Sequence, residues 1–439
     1  MTRETLFKSL FPHEPAFRWK QIEKALFEPA LTSADQITTL SKPMREILQK
    51  EFPWMSCQAV TLRTNPKGDT TKAVLQLQDG EKIESVLMQN ARGELTICIS
   101  SQVGCAMGCL FCATGKMGLK RNLDSDEIID QYRFWQTPRT KRSEVRSPSP
   151  HPPSEAKCAP QTRSEPLGER SVASRISSPR ISNIVVMGMG EPFANYENMK
   201  KALNTLLTQT DLGPTRITVS TVGLIPMLNQ MLNDKDWPHI RLAISLHSAI
   251  PETRKNLIPT SNNTFLEDLT QWGKNYLKKL GNRRHHLTFE YVFLKNVNDA
   301  PKDAKALITL VHALGPENVR VNLIPYNFTG TGLSQNKRTK GWVVDDERIA
   351  CAPGAPDEDV AKLRRGKAQG RKPRGAIGYA HHSLGDFVTS PIFQSGDNAS
   401  ILHFQAELEK HGVTVTIRRS KGDDIEAACG QLIVLNNKN

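Results

Sequence analysis

The sequence predicts an α/β fold built on a parallel sheet, on three observations. Short β-branched runs recur along the chain, helical stretches alternate with them, and 439 residues are enough to bury a substantial core. Strands joined by crossover helices run parallel, in a sheet either open or curved into a barrel. In such folds, polar groups at the carboxyl ends of the strands line the ligand site.

Residues 1–65 read as a small N-terminal helical accessory domain. Phe17-Arg18-Trp19-Lys20-Gln21-Ile22 and Ala25-Leu26-Phe27 fall at helical spacing between proline breaks. Residues 66–96 hold a β-hairpin extension, with AVLQLQ at 73–78 and KIESVLM at 82–88 alternating around the Asp79-Gly80 turn. The core is expected over 97–435. LTICIS enters it from the hairpin, followed by apolar runs near residues 181, 216, 240, 287 and 319, the helical segment ILHFQAELEKHG and a last strand, VTVTIRR, at 413–419. Two stretches break the pattern. Residues 137–180, rich in Ser, Pro and Arg, and residues 335–396, polar and Gly-rich with KLRRGKAQGRKPRG inside, have too few large apolar groups to offset ordering entropy and read as disordered insertions.

A formal charge of +13 favours a polyanionic partner such as nucleic acid, and the absence of a basic amphipathic anchor disfavours a membrane surface. With 38% hydrophobic residues and no apolar run approaching about 18 residues, no spanning helix is expected. The opening MTRETLFKSLFPHEP lacks the layout of a signal peptide. A cytoplasmic protein is the expectation.

Four of eight cysteines, Cys98, Cys105, Cys109 and Cys112, crowd into a short stretch, which points to metal or redox chemistry and not to a disulfide framework. The CxxxCxxC triplet Cys105, Cys109, Cys112 has the form of a three-thiolate site for a [4Fe–4S] cluster, whose fourth iron is left free to chelate a small molecule. This is the pattern of radical S-adenosylmethionine (SAM) chemistry. Gly104, Gly108 and Gly115 let the loop wrap closely around a bulky cluster. The alternative is structural zinc with Cys98 as a fourth thiolate, although zinc sites more often pair CxxC halves across a longer gap.

The strand ends supply further candidates. VVMGMGEP at 185–192 ends an apolar strand in a Gly-rich turn with Gly190 and Glu191, where a carboxylate can accept from an ammonium or a ribose hydroxyl. Ser220 and Thr221 close the next strand, Ser245-Leu246-His247 the one after, and Asn327 follows NLIPYN. Singly these are ordinary loop caps; their recurrence on successive strands suggests a shared ligand.

CAMGCLFCATGKMGLKRNL, MGMGEP, AISLHS, EYVFLKNVND, NLIPYN and RRSKGDDIEAACGQL together resemble the RlmN family of RNA methyltransferases. The resemblance implies a partial (βα)₆ radical SAM barrel, a [4Fe–4S] cluster on Cys105, Cys109 and Cys112, and two SAM molecules per turnover. It also implies methylation of adenosine C2 in 23S ribosomal RNA and in transfer RNA next to the anticodon, with electrons from an unidentified reductant. By the same resemblance Cys429 is the methyl-carrying S-methylcysteine, Cys98 the thiol that resolves the protein–RNA adduct, and Glu84 the proton acceptor. Gly190, Glu191, Ser220, Ser245, Leu246, His247 and Asn327 would contact SAM, Leu246 through its backbone. On the residues alone, Glu84 reads as a solvated strand position and Cys429 as a small buried side chain.

Lys116–Arg121, Arg418–Lys421 and Arg283-Arg284-His285-His286 are basic stretches that could hold RNA phosphates while an extruded adenine enters a pocket. Two rival readings remain open here. One is a Cfr-type enzyme that methylates adenine C8; the other is a non-catalytic, zinc-stabilised RNA-binding protein.

Overall fold

The computed structural model describes residues 1–137, 180–281, 285–328, 393–418 and 421–432. Most of both expected insertions, with Cys158, Cys351, Arg283, Arg284 and Arg419, lies outside the described residues. The second insertion ends earlier than expected. Phe393 is buried, Lys295 donates its N–H to the Gln394 carbonyl at 3.0 Å, and Ser395 bridges Leu294, so residues 393–396 pack with the core.

Helices α1 (Arg3–Leu10), α2 (Ala16–Leu26) and α3 (Lys42–Glu51) bury Phe7, Ile22, Leu26, Met44 and Leu48 in a core of their own. A strand that the sequence analysis missed, β1 (Cys57–Thr64), follows inside the stretch expected to be helical. Half of its side chains are half-buried in one unbroken run and its register slips between Ala59 and Thr61, so no clean alternation marks it. The expected hairpin is β2 (Thr70–Leu77) and β3 (Lys82–Gln89), antiparallel as anticipated.

Strand β4 (Leu95–Cys98) joins two regimes. It pairs antiparallel with β3 on one side and parallel with β7 (Ile181–Val186) on the other. A short antiparallel ribbon, β5 (Gln102–Gly104) and β6 (Leu119–Asn122), lies outside the main sheet and frames the cysteine loop, which contains the single-turn helix α4 (Ala113–Lys116). From β7 onward the order follows the sequence, through β8 (Ile217–Thr221), β9 (Arg241–Ser245), β10 (Leu287–Phe293), β11 (Val319–Pro325) and β12 (Thr414–Ile417), all parallel. Central strands such as β10, buried along nearly their whole length, read as continuous apolar runs because both faces are covered.

The helices that return the chain are α5 (Ser125–Gln136), α6 (Tyr196–Gln209), α7 (Ile225–Asn233), α8 (Pro251–Leu257), α9 (Phe265–Leu280), α10 (Pro301–Leu314) and α11 (Asn398–Lys410). Helix α5 starts at a capping box, Asp124 accepting from the Glu127 N–H while Glu127 accepts from that of Asp124. It also fastens the N-terminal helices to the sheet. Asp130, fully buried, takes the guanidinium of Arg3 at 2.8 Å, pairs with Arg133 and accepts the Ser56 N–H at 2.6 Å. No helix among the described residues is long and apolar enough to cross a membrane.

Candidate active site

The cysteine loop is held at both ends by the β5–β6 ribbon. Gly104 sits at φ +77°, and a Cβ there would come within 1.9 Å of the Gly118 carbonyl oxygen, which accepts the Cys105 N–H at 2.9 Å. Only glycine fits that crossing. Farther along, Leu110 donates to the Leu257 carbonyl at 3.0 Å and Ala113 to the Gly430 carbonyl at 2.7 Å. These ties bring Cys105, Cys109 and Cys112 together into the lining of one open cavity.

Burial pushes the Cys105 thiol up to about 12 and raises Cys109 and Cys112, and ionising the others would raise Cys109 further. Three buried thiols on one wall become thiolates only beside a cationic centre. That donor set fits a [4Fe–4S] cluster. It does not extend to Cys98, which lines a different cavity and whose interacting thiol is Cys429. Among the described residues no three His, Cys, Asp or Glu side chains gather as a single-ion site.

The opposite wall comes from the strand ends. In the MGMGEP turn the Met189 N–H donates to Ser100 Oγ and the Glu191 N–H to Gln102 Oε1, both at 2.8 Å. Gly190 sits at φ +102°, where an added Cβ would lie 2.6 Å from Gln102 Cβ and 2.7 Å from its nitrogen. Gly190→Ala is expected to cost about 1–3 kcal/mol in strain and to displace the turn, lowering the melting temperature read by thermal denaturation. Glu191, 2% exposed, accepts from the Phe193 and Val222 N–H groups at 2.9 and 2.8 Å. Burial nevertheless pushes it up to about 6.

Ser220 and Ser245, neighbours across β8 and β9, share a hydroxyl contact of 3.2 Å. His247 takes a left-handed φ of +57°, its ring meeting Phe111 edge-on at 4.5 Å, and its Nδ1 accepts the Val292 N–H at 3.0 Å. That bond leaves the proton on Nε2, and burial pushes the ring down to about 3, so the neutral tautomer is fixed. Asn327 completes this wall. Leu246 does not join it. The side chain is fully buried, its N–H donates to the Glu290 carbonyl at 3.0 Å and its carbonyl accepts from Arg254.

Glu84 and Cys429 reverse their sequence-based burial. Glu84 is 2% exposed in β3, beside Lys72 Nζ at 3.4 Å, and lines neither cavity, whereas Cys429 is exposed. Lys72 donates in turn to the Glu426 carbonyl at 3.0 Å, fastening the Cys429 segment to the hairpin. Cys429 lines both the first cavity and a second one of about 870 Å³, which it shares with Cys98. Burial pushes Cys98 up to about 12.

Arg418, read from sequence as an RNA contact, also lines both cavities and pairs with the buried Glu290 at 3.3 Å. Glu290 itself went unnoticed, although a lone carboxylate inside the apolar run LTFEYVF was the available signal. The Lys116–Arg121 stretch is largely occupied within the protein. Lys120 pairs with Glu81, and Arg121 with Asp79 and Glu127.

No protein-family profile matches the chain. A crystal structure of a radical SAM methyltransferase from Sphaerobacter thermophilus is similar over 98% of this chain and 97% of its own, with a TM-score of 0.68 and 28% identity. Fold and cysteine-lined cavity together define a protein of the radical SAM methyltransferase class. By sequence, the RlmN RNA methyltransferase of Dictyoglomus turgidum is 32% identical over 97% of this chain and 93% of its own length. The dual-specificity RNA methyltransferase RlmN of Alcanivorax borkumensis is 31% identical over 96% and 85%. Ribosomal RNA large subunit methyltransferase N of Nitrosopumilus maritimus is 30% identical over 95% and 92%. The chain belongs to the RlmN family.

Proposed function

We propose that this protein methylates C2 of adenosine in 23S ribosomal RNA and in transfer RNA, using Cys429 as a methyl carrier. The supporting observation is the position of Cys429 where two cavities meet, with the cysteine triplet on one side and Cys98 on the other. In this reading the first cavity takes SAM and the second takes the extruded base.

Cys105, Cys109 and Cys112 would hold the cluster. When bound, it supplies the electron that cleaves SAM to a carbon radical, chemistry needed because C2 of adenine is electrophilic and resists a methyl cation donor. Gly190, Glu191, Ser220, Ser245, Leu246 through its backbone, His247 and Asn327 bind and orient SAM, two molecules in turn. Cys429 first accepts a methyl group from one SAM by displacement, losing its thiol proton. Once the S-methyl group has lost a hydrogen atom and joined C2, Cys98 releases the product. Its thiolate attacks the Cys429 sulfur, an S–S bond forms, and the C–S electron pair goes to the methylene carbon, which takes a proton. Before that release, Glu84 removes the C2 proton of the adduct while its unpaired electron would return to the cluster, so that Cys98 attacks a closed-shell thioether.

The lining of one cavity by residues of five consecutive parallel strands, β7 to β11, supports a sheet curved as a partial (βα)₆ barrel. The N-terminal helices, with a core of their own, serve as an accessory RNA-binding domain, and the enzyme works in the cytoplasm with a separate reductant. Mass spectrometry of nucleosides from RNA treated with the reconstituted protein tests the reading. We expect 2-methyladenosine; 8-methyladenosine in its place would identify a Cfr-type enzyme, and a colourless, zinc-replete protein would remove the radical chemistry altogether.

A further inference from the structure

Arg254 in α8 is 1% exposed, yet among the described residues its hydrogen-bond partners are all neutral carbonyls. Its guanidinium donates to the carbonyls of Val222 at 2.6 Å, Ser245 at 2.8 Å and Leu246, and its carbon lies 3.7 Å from the centre of the Phe265 ring. Burial pushes its pKa down to about 9, so the side chain still carries its charge at neutral pH, and the ionisable group that acts on it is Cys109. The cysteine loop is fastened to the same helix by the Leu110–Leu257 bond, and Leu257 and Ile258 pack with Cys105 and Cys109 in one apolar cluster.

A buried cation without an anion is expensive, and proteins rarely keep one unless a charge arrives to match it. A [4Fe–4S]²⁺ core on three thiolates carries a net charge of −1, which becomes −2 on one-electron reduction. Net charge around a cluster is one of the levers that set its reduction potential.

We infer that Arg254 is the built-in countercharge of the cluster bound by the cysteine triplet, a positioning residue that favours the reduced state. The inference rests on the cluster reading above. The same guanidinium ties together the ends of β8 and β9, so the charge that acts on Cys109 and the strand ends that present Ser220, Ser245 and His247 are fixed by one side chain.

A bracing role alone predicts that any substitution loosens the strand ends without regard to charge. Redox titration of anaerobically reconstituted protein, followed by electron paramagnetic resonance of the reduced cluster, separates the two. Arg254→Gln keeps an amide donor for the carbonyls and loses the charge; its midpoint potential should shift to more negative values. Arg254→Lys keeps the charge with fewer donors and should stay near the wild-type potential. A potential unchanged in Arg254→Gln overturns the inference while leaving the cluster reading intact. Wild-type protein that takes up no iron and sulfide overturns both. Should Arg254→Gln not fold, Arg254→Lys decides, since a negative shift there would tie the potential to the lost carbonyl bonds and refute the charge role.

Discussion

Cys98→Ala is expected to accumulate a covalent protein–RNA adduct, while Cys429→Ala forms none and transfers methyl groups to RNA slower by on the order of 10⁴-fold or more, as when a nucleophile is removed. The asymmetry follows from where the two thiols sit. Cys429 is exposed and lines both cavities, which in the proposed reading take the methyl donor on one side and the base on the other. Cys98 is buried at the end of β4 and lines only the second cavity, so it meets Cys429 from the side of the substrate. Its thiol, pushed up to about 12 by burial, is lowered by Arg418, the cation that lines both cavities. Denaturing gels of labelled RNA read the adduct directly. Equal trapping in the two variants would reverse the assignment of carrier and resolving thiol.

Asp130→Ala is expected to cost about 3–5 kcal/mol, the usual penalty for removing one partner of a buried ion pair. It would strand the nearly fully buried Arg133, leave buried Arg3 with Asp126 alone at 3.5 Å, and release the Ser56 N–H. Urea denaturation would read the loss as a lower midpoint. Acid should reproduce part of it. Burial alone would raise the Asp130 carboxyl, but Arg3 and Arg133 hold it down at about 2, below its ordinary 3.8. A carboxyl depressed in the folded state adds stability above its unfolded value, and that contribution fades as pH falls from about 4 towards 2. In Asp130→Asn this part of the acid sensitivity should vanish.

The parallel strands and the cysteine triplet were legible because their signals are local. A β-branched run such as ISNIVV marks itself, and so does a cluster of thiols three and four residues apart. Strand β1 was not, since bulging and half-burial erase its alternation. Glu84, Glu290 and Arg254 were misread or missed for another reason. A charged residue in a strand or short helix looks solvated until the fold reveals what covers it, and the covering groups, Lys72, Arg418 and the strand-end carbonyls, come from elsewhere in the chain. Leu246 is a matched motif position whose fully buried side chain and whose backbone bonds to Glu290 and Arg254 no local signal announced.

The bonds from Ala113 to Gly430 and from Thr114 to Leu432 join parts of the chain more than three hundred residues apart. Loop closure over such a span gains nothing until the intervening sheet exists, so contacts of this kind form late in folding. The thiol carrier is thus delivered to a loop already built by the rest of the protein. A chain cut before Gly430 would keep the cysteine triplet but lose both of these bonds to its loop.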